Sequence, residues 1–172
     1  MLKSWNPRIE VAWSTEEKLI LDAAVLLAQQ VNQESYIRDL LSFLYRHSGA
    51  DVVMLCRKTA LPQEMQVRHL LLKGESMPLQ AYYPLQGTPC ANVNRHGVLY
   101  FAEGVQKQFP QDHYLRVFRI ESYFGAPILG ATGELVGIVS LLHHKPLPNP
   151  HLLELLLTIL SPPLETLLEK PV

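Results

Sequence analysis

The sequence predicts an α+β fold, with helices lying on one face of a mostly antiparallel sheet. Three observations carry that expectation. The hydrophobic period runs helix, helix, strands, hairpin, helix along the chain. A strong hairpin signal lies near the C-terminal end. A composition of 48% hydrophobic and 18% charged residues over 172 positions is that of one globular core.

Ser14 and Glu17 have capping-box spacing and open a helix at Thr15. Leu19, Ile20, Ala23, Leu26, Leu27 and Val31 then recur at three- and four-residue intervals as its apolar stripe. A second helix is expected from about Tyr36, with Ile37, Leu40, Leu41 and Leu44 as its buried face and Gly49 as a left-handed stop. The run Asp51 to Arg57 is apolar and β-branched, which reads as a buried strand. Gln66 to Leu72 reads as its antiparallel neighbour.

Val98 to Ala102 reads as a further strand, and Gln111 to Arg119 as a short helix. Ser122 to Leu129 and Leu135 to His143 flank Gly130-Ala131-Thr132-Gly133-Glu134, in which both glycines are free to take positive φ. These form a hairpin of central strands. Asn149-Pro150 caps and starts a helix through Leu160, and Ser161-Pro162 repeats the signal, so the last helix is expected to be broken or kinked.

Fifteen basic and sixteen acidic residues give a net charge of -1, which offers no excess for a phosphate backbone. Nucleic acid is not expected as a partner. Two cysteines, Cys56 and Cys90, are too few for a disulfide framework or a cysteine-rich metal site. A reducing, cytoplasmic setting follows. The N-terminus has no signal-peptide pattern, and Leu152 to Leu160 falls short of a bilayer span, so no membrane insertion is expected.

From Tyr83 onward the chain carries Gly87-Thr88-Pro89-Cys90, then Phe109-Pro110, then Ser122-Tyr123-Phe124-Gly125-Ala126-Pro127-Ile128 leading into the hairpin. Together these turns resemble a bacterial subgroup of the GAF domain family, over roughly Tyr83 to Leu147. The resemblance implies a PAS-related central antiparallel sheet of about five or six strands, with N- and C-terminal helices on one face. It also implies a small-molecule pocket formed by helices and loops on the other face, and terminal helices that form a dimer interface. The domain reading is residues 14–172, comprising N-terminal helices (14–48), sheet and pocket (51–147) and C-terminal helices (149–170), after an extension of residues 1–13. No output domain is expected within the chain, so signalling would act in trans on a partner protein.

The residues expected to wrap that pocket are Cys90, Tyr100, Phe109, His113, Tyr114, Ser122 and Tyr123. Cys90 follows a Thr-Pro turn, where a helix N-terminus would lower a thiol pKa and make it reactive or a bilin attachment point. The packing reading of Cys90 stands beside it. Glu103, Asp112, His113, Arg116 and Arg119 have no general acid and base spacing. His143 and His144 adjoin on a strand, so they are expected to point to opposite faces and not to share one metal.

No counterpart of the family's cyclic-nucleotide signature is present, and the cofactor is unassigned. The expectation is a non-catalytic, ligand-binding sensory domain that dimerises through its terminal helices. Two alternatives stand beside it. One is a methionine sulfoxide reductase of GAF type using Cys90, and the other a structural dimerisation module without ligand.

Overall fold

The computed structural model describes residues 12–30, 33–78 and 81–169. Helices α1 (Thr15–Gln29) and α2 (Gln33–Ser48) precede the sheet. The capping box forms: Glu17 N donates to Ser14 Oγ at 3.1 Å, and Ser14 N donates to Glu17 Oε1 at 2.9 Å. Gly49 takes the left-handed conformation after α2, at φ +72°.

The strands are β1 (Val52–Lys58), β2 (Glu64–Leu72), β3 (Glu75–Met77), β4 (Tyr82–Pro84), β5 (Leu99–Phe101), β6 (Ser122–Leu129) and β7 (Leu135–His143). They form one seven-stranded sheet in the order β3-β2-β1-β7-β6-β5, and β4 pairs with β2 as well. Every pairing among these strands is antiparallel. The count exceeds the expected five or six because β3 and β4, three residues each, are too short to show a period in sequence.

Between the strands lie the short helices α3 (Pro89–His96), α4 (Val105–Gln108) and α5 (His113–Val117), and α6 (Pro150–Glu169) closes the fold. The hairpin strands have the expected bounds, but in their turn only Gly133 has positive φ, +83°. Gly130 lies instead under the carboxylates of Glu134 and Glu169.

Strand alternation divides the core into two layers. Val53 and Leu55 of β1, Phe124 and Ala126 of β6, and Val139 and Leu141 of β7 face α1, α2 and α6. Val52, Met54 and Cys56, with Tyr123, Ile138 and Leu142, face α3, α4 and α5.

Two helical expectations are corrected. On α1, Ala24 is buried and Ile20, Leu27 and Ala28 pack beside it, whereas Leu19 and Leu26 are 64% and 60% exposed. The sequence stripe was too wide, since a helix lying beside α6 covers only one side of itself; Val31 lies outside the described residues. Helix α6 is continuous through Pro162 and Pro163. Those prolines cannot donate to the carbonyls of Thr158 and Ile159, and Thr158 and Pro162 are exposed, which leaves solvent to serve the outer side.

Buried anchors hold the helix on both sides of the prolines. Tyr36 donates its hydroxyl to the Leu160 carbonyl at 2.6 Å, and Leu160, Leu164 and Leu168 are buried. At twenty residues α6 is, by length and composition alone, long and apolar enough to cross a bilayer. Its apolarity has an internal use, for Leu152, Leu153, Leu156, Leu157, Leu160, Leu164 and Leu168 are buried within the fold.

Candidate functional site

The layer opposite the terminal helices is assembled from the short elements. Thr88 is the N-cap of α3 and Pro89 its first residue, and the Thr88 hydroxyl donates to the Leu85 carbonyl at 2.6 Å. This turn carries Cys90 inward at the start of the helix. A helix N-terminus favours a thiolate, yet burial dominates and pushes the Cys90 thiol up, against the hydrogen bonds of Tyr123 and Tyr83.

A line of polar atoms crosses this apolar layer. Tyr83 donates its hydroxyl to Cys90 Sγ at 3.5 Å, Cys90 Sγ meets the Tyr123 hydroxyl at 3.4 Å, and Tyr123 meets Ser140 Oγ at 3.2 Å. Burial also holds the Cys56 thiol, in the same layer, well above its ordinary range. Two cysteines remote in sequence thus share one buried layer with that tyrosine. Gly125 makes the line possible, because a Cβ there would strike the Tyr123 ring lying across it.

Outside this line stands a set of aromatic rings. Phe101 meets Phe109 edge-on at 5.6 Å and Tyr123 at 6.4 Å. Tyr114 stacks on Phe118 at 6.2 Å, and meets Tyr83 at 6.1 Å and His113 at 5.7 Å. Edge-to-face and offset pairs of this kind are favoured by the ring quadrupoles.

Asp112 fixes the set by capping α5, where its Oδ1 accepts from Tyr114 N at 3.0 Å and Leu115 N at 3.2 Å. Burial is the leading influence on Asp112 and raises its pKa despite those bonds. The folded state therefore holds the proton more tightly than the unfolded chain. That contribution stabilises at pH below the unfolded pKa and is lost as pH rises through the folded one. Asp112→Asn keeps a capping oxygen without the desolvated charge, and is expected to stay within about 0.5 kcal/mol of the parent at pH 7 and lose this acid-side gain. Asp112→Ala should cost about 1 kcal/mol. Denaturant titrations at pH 4 and 7 check both.

Of the residues expected at the pocket, the structure brings Cys90, Phe109, His113, Tyr114 and Tyr123 into this one layer. Tyr100 and Ser122 lie apart from it. Tyr100 alternates with Leu99 and Phe101 on β5, so its ring faces Phe124 at 6.2 Å and its hydroxyl donates to the Leu147 carbonyl at 2.8 Å. Ser122 alternates with Tyr123 in the same way, and its hydroxyl donates to the Lys145 carbonyl at 2.5 Å.

Both placements follow from period-two alternation, a signal present in the sequence. Tyr83, Cys56 and Ser140 were not among the expected residues. Ser140 was legible as the one polar position within the apolar β7 run; Tyr83 was not, because β4 is so short.

The paired histidines require a correction. His143 ends β7, but His144 lies in the bend beyond it, so strand alternation no longer separates them. Their rings stand 4.5 Å apart, and both turn a nitrogen toward the Asp51 carboxylate.

A sheet with terminal helices on one face and a layer of short helices and connections on the other defines a fold of the GAF type. A family model described as GAF domain matches residues 13–161, and the chain belongs to that family. No curated protein sequence matches it.

Among solved structures, it is similar to the chromophore-binding domain of the bacteriophytochrome RpBphP3 from R. palustris. That match has 15% identity and a TM-score of 0.68, covering 94% of this chain and 64% of that one. It is also similar to a mutant form of the chromophore-binding domain of Stigmatella aurantiaca bacteriophytochrome in the Pr state. There the identity is 11% and the TM-score 0.70, over 95% of this chain and 63% of that one. A longer RpBphP3 structure matches at 14% identity and a TM-score of 0.67, covering 91% of this chain and 38% of that one. The chain therefore spans less than two thirds of each.

Proposed function

We propose that this chain is a small-molecule-binding regulatory domain for signal transduction, working by a shift in conformational equilibrium and not by catalysis. One observation carries the reading. Polar side chains from β4, α3, β6 and β7 converge on a single line within an apolar layer, and the Tyr114 ring of α5 stands against its Tyr83 end, the composition of a ligand site with a few fixed polar groups. The family supports a sensory role, and the chromophore-binding domains of similar fold support a conjugated, largely apolar ligand with polar edges.

The reductase alternative needs an accessible, low-pKa nucleophile. Burial and raised pKa values at Cys90 and Cys56 weigh against it. Output would pass through a dimer mate or a partner protein. The leucines of α6 are largely taken up by the core, so the dimer surface falls to Leu19, Val25 and Leu26 of α1, all exposed.

One observation favours the second alternative, a dimerisation module whose interior is self-filled. Among the described residues, every buried side-chain polar atom has a hydrogen-bond partner.

Thermal denaturation with biliverdin, haem, nucleotides, free amino acids and aromatic metabolites, each in separate titrations, separates the two. A ligand present at 100 times its Kd stabilises by about 2.7 kcal/mol. One class is expected to raise Tm in the parent and to do so less in Tyr123→Phe, which keeps the ring and loses the hydroxyl. Unchanged Tm with every class, together with a concentration-dependent dimer, would overturn the ligand reading in favour of the module.

A further inference from the structure

The geometry points to a divalent transition-metal site formed by Asp51, His143 and His144, on the rim of the sheet and separate from the layer described above. Each of the three offers a ligand atom, and these atoms lie within 4.8 Å of one another. Two imidazole nitrogens and one carboxylate oxygen suit zinc, cobalt, nickel or iron(II), and not the all-oxygen preference of calcium or magnesium. Tetrahedral ligands at about 2.0–2.2 Å from a metal stand roughly 3.3 Å apart. His143 Nδ1 already lies 3.2 Å from Asp51 Oδ2, and the His144 ring is in direct contact with that same oxygen. Closing the set therefore needs torsional adjustment of side chains and no change of backbone.

The backbone around the three residues is fixed from several directions. Asp51 precedes β1 and its carbonyl accepts from Lys73 N at 2.7 Å. His144 N donates to Asp51 Oδ2 at 3.2 Å, a bond the ligated carboxylate keeps, whereas the 3.2 Å bond from Asp51 N to His143 Nδ1 holds only until a metal takes that nitrogen. The His143 carbonyl accepts from Glu121 N at 2.9 Å, and Ser122 Oγ donates to the Lys145 carbonyl next along the chain. A preformed frame of this kind lowers the ordering cost of binding.

On binding, the metal takes the place of the proton at His144 Nδ1 that faces Asp51; that proton leaves to solvent and Nε2 takes one up, so the ring stays a neutral imidazole. The metal also takes the His143 nitrogen from the Asp51 N–H, so one backbone hydrogen bond is exchanged for a coordinate bond. Asp51 and His143 are 19% and 16% exposed at their side chains and His144 is 49% exposed. The metal would enter from the His144 side and keep at least one position for water. Occupancy would clamp the start of β1 to the end of β7 and to the bend that leads toward α6.

The test is a titration of untagged, chelator-stripped protein with Zn²⁺, and with Co²⁺ as a spectroscopic probe. Expected results are one equivalent bound, visible Co²⁺ absorption of nitrogen-ligated type, and a rise in Tm with Zn²⁺ but not with Mg²⁺ at equal concentration. Loss of an outer-shell partner alone costs roughly 10–100-fold in metal affinity. His144→Ala, at an exposed position that leaves the fold intact, should therefore weaken Zn²⁺ binding by at least that factor, as should Asp51→Asn. His144→Ala titrating like the parent, substoichiometric binding, or an equal response to Mg²⁺ would each overturn the site. Should Asp51→Asn fail to fold, His144→Ala alone decides.

Discussion

Gly137→Val is expected to destabilise the protein by about 2–3 kcal/mol, the upper part of the range for overpacking, and to lower Tm by roughly 5–10 °C for a chain of this size. Strand propensity alone predicts the reverse, since valine suits a strand better than glycine. Packing decides the sign. A Cβ at position 137 would lie 2.7 Å from the Cys56 carbonyl oxygen and 2.5 Å from Leu168 Cδ1. The leucine tip can turn aside, but the carbonyl belongs to the β1 backbone paired with β7. Relief must come by lifting α6 or displacing the strand. Gly125→Ala provides the contrast, because the three atoms nearest its Cβ belong to the buried Tyr123 side chain and none to a paired strand's backbone. Its loss in stability should be smaller than that of Gly137→Val, and thermal melts of the two variants beside the parent check the order.

Both cysteines are expected to resist alkylation in the folded protein and to react with two equivalents once it is unfolded. Burial is the leading cause of the raised pKa at each thiol, and both are buried in the structure. Reaction in native buffer must then pass through rare opening. With unfolded fractions of 10⁻³ or less, modification should slow by on the order of 10³-fold or more relative to the unfolded chain. Timed labelling with iodoacetamide, read by mass spectrometry with and without denaturant, measures the ratio. Rapid, selective modification of Cys90 in native buffer would sink the packing assignment and restore the reductase alternative.

These expectations depend on features that were unevenly legible in the sequence. The hairpin of β6 and β7 was readable to the residue, because two largely apolar runs flank a glycine-containing turn. The start of α1 was equally clear from Ser14 and Glu17. Helix α3 was missed although Thr88-Pro89 is a start signal, since eight residues with few apolar positions show little period. The two prolines in α6 were over-weighted, because local penalties are outvoted when buried leucines anchor both sides of them. At the candidate site, Cys90, Phe109, His113, Tyr114 and Tyr123 share one layer. Tyr100 and Ser122 were placed by chemistry where strand parity should have ruled, and the meeting of Asp51 with His143 and His144 depends on a bend that no period announces.

The capping box of α1 reaches further than its own helix. Asn149, the N-cap of α6, donates from Nδ2 to Glu17 Oε2 at 2.6 Å, while its own Oδ1 accepts from Leu152 N at 3.3 Å. The positive ends of two helix macrodipoles therefore meet at one corner, with a single carboxylate between them. The Ser14 and Asn149 hydrogen bonds hold Glu17 below the usual carboxylate range, so its charge persists there under mildly acidic conditions. One anion serves two helix starts, and a displacement of the first helix would unload the origin of the last.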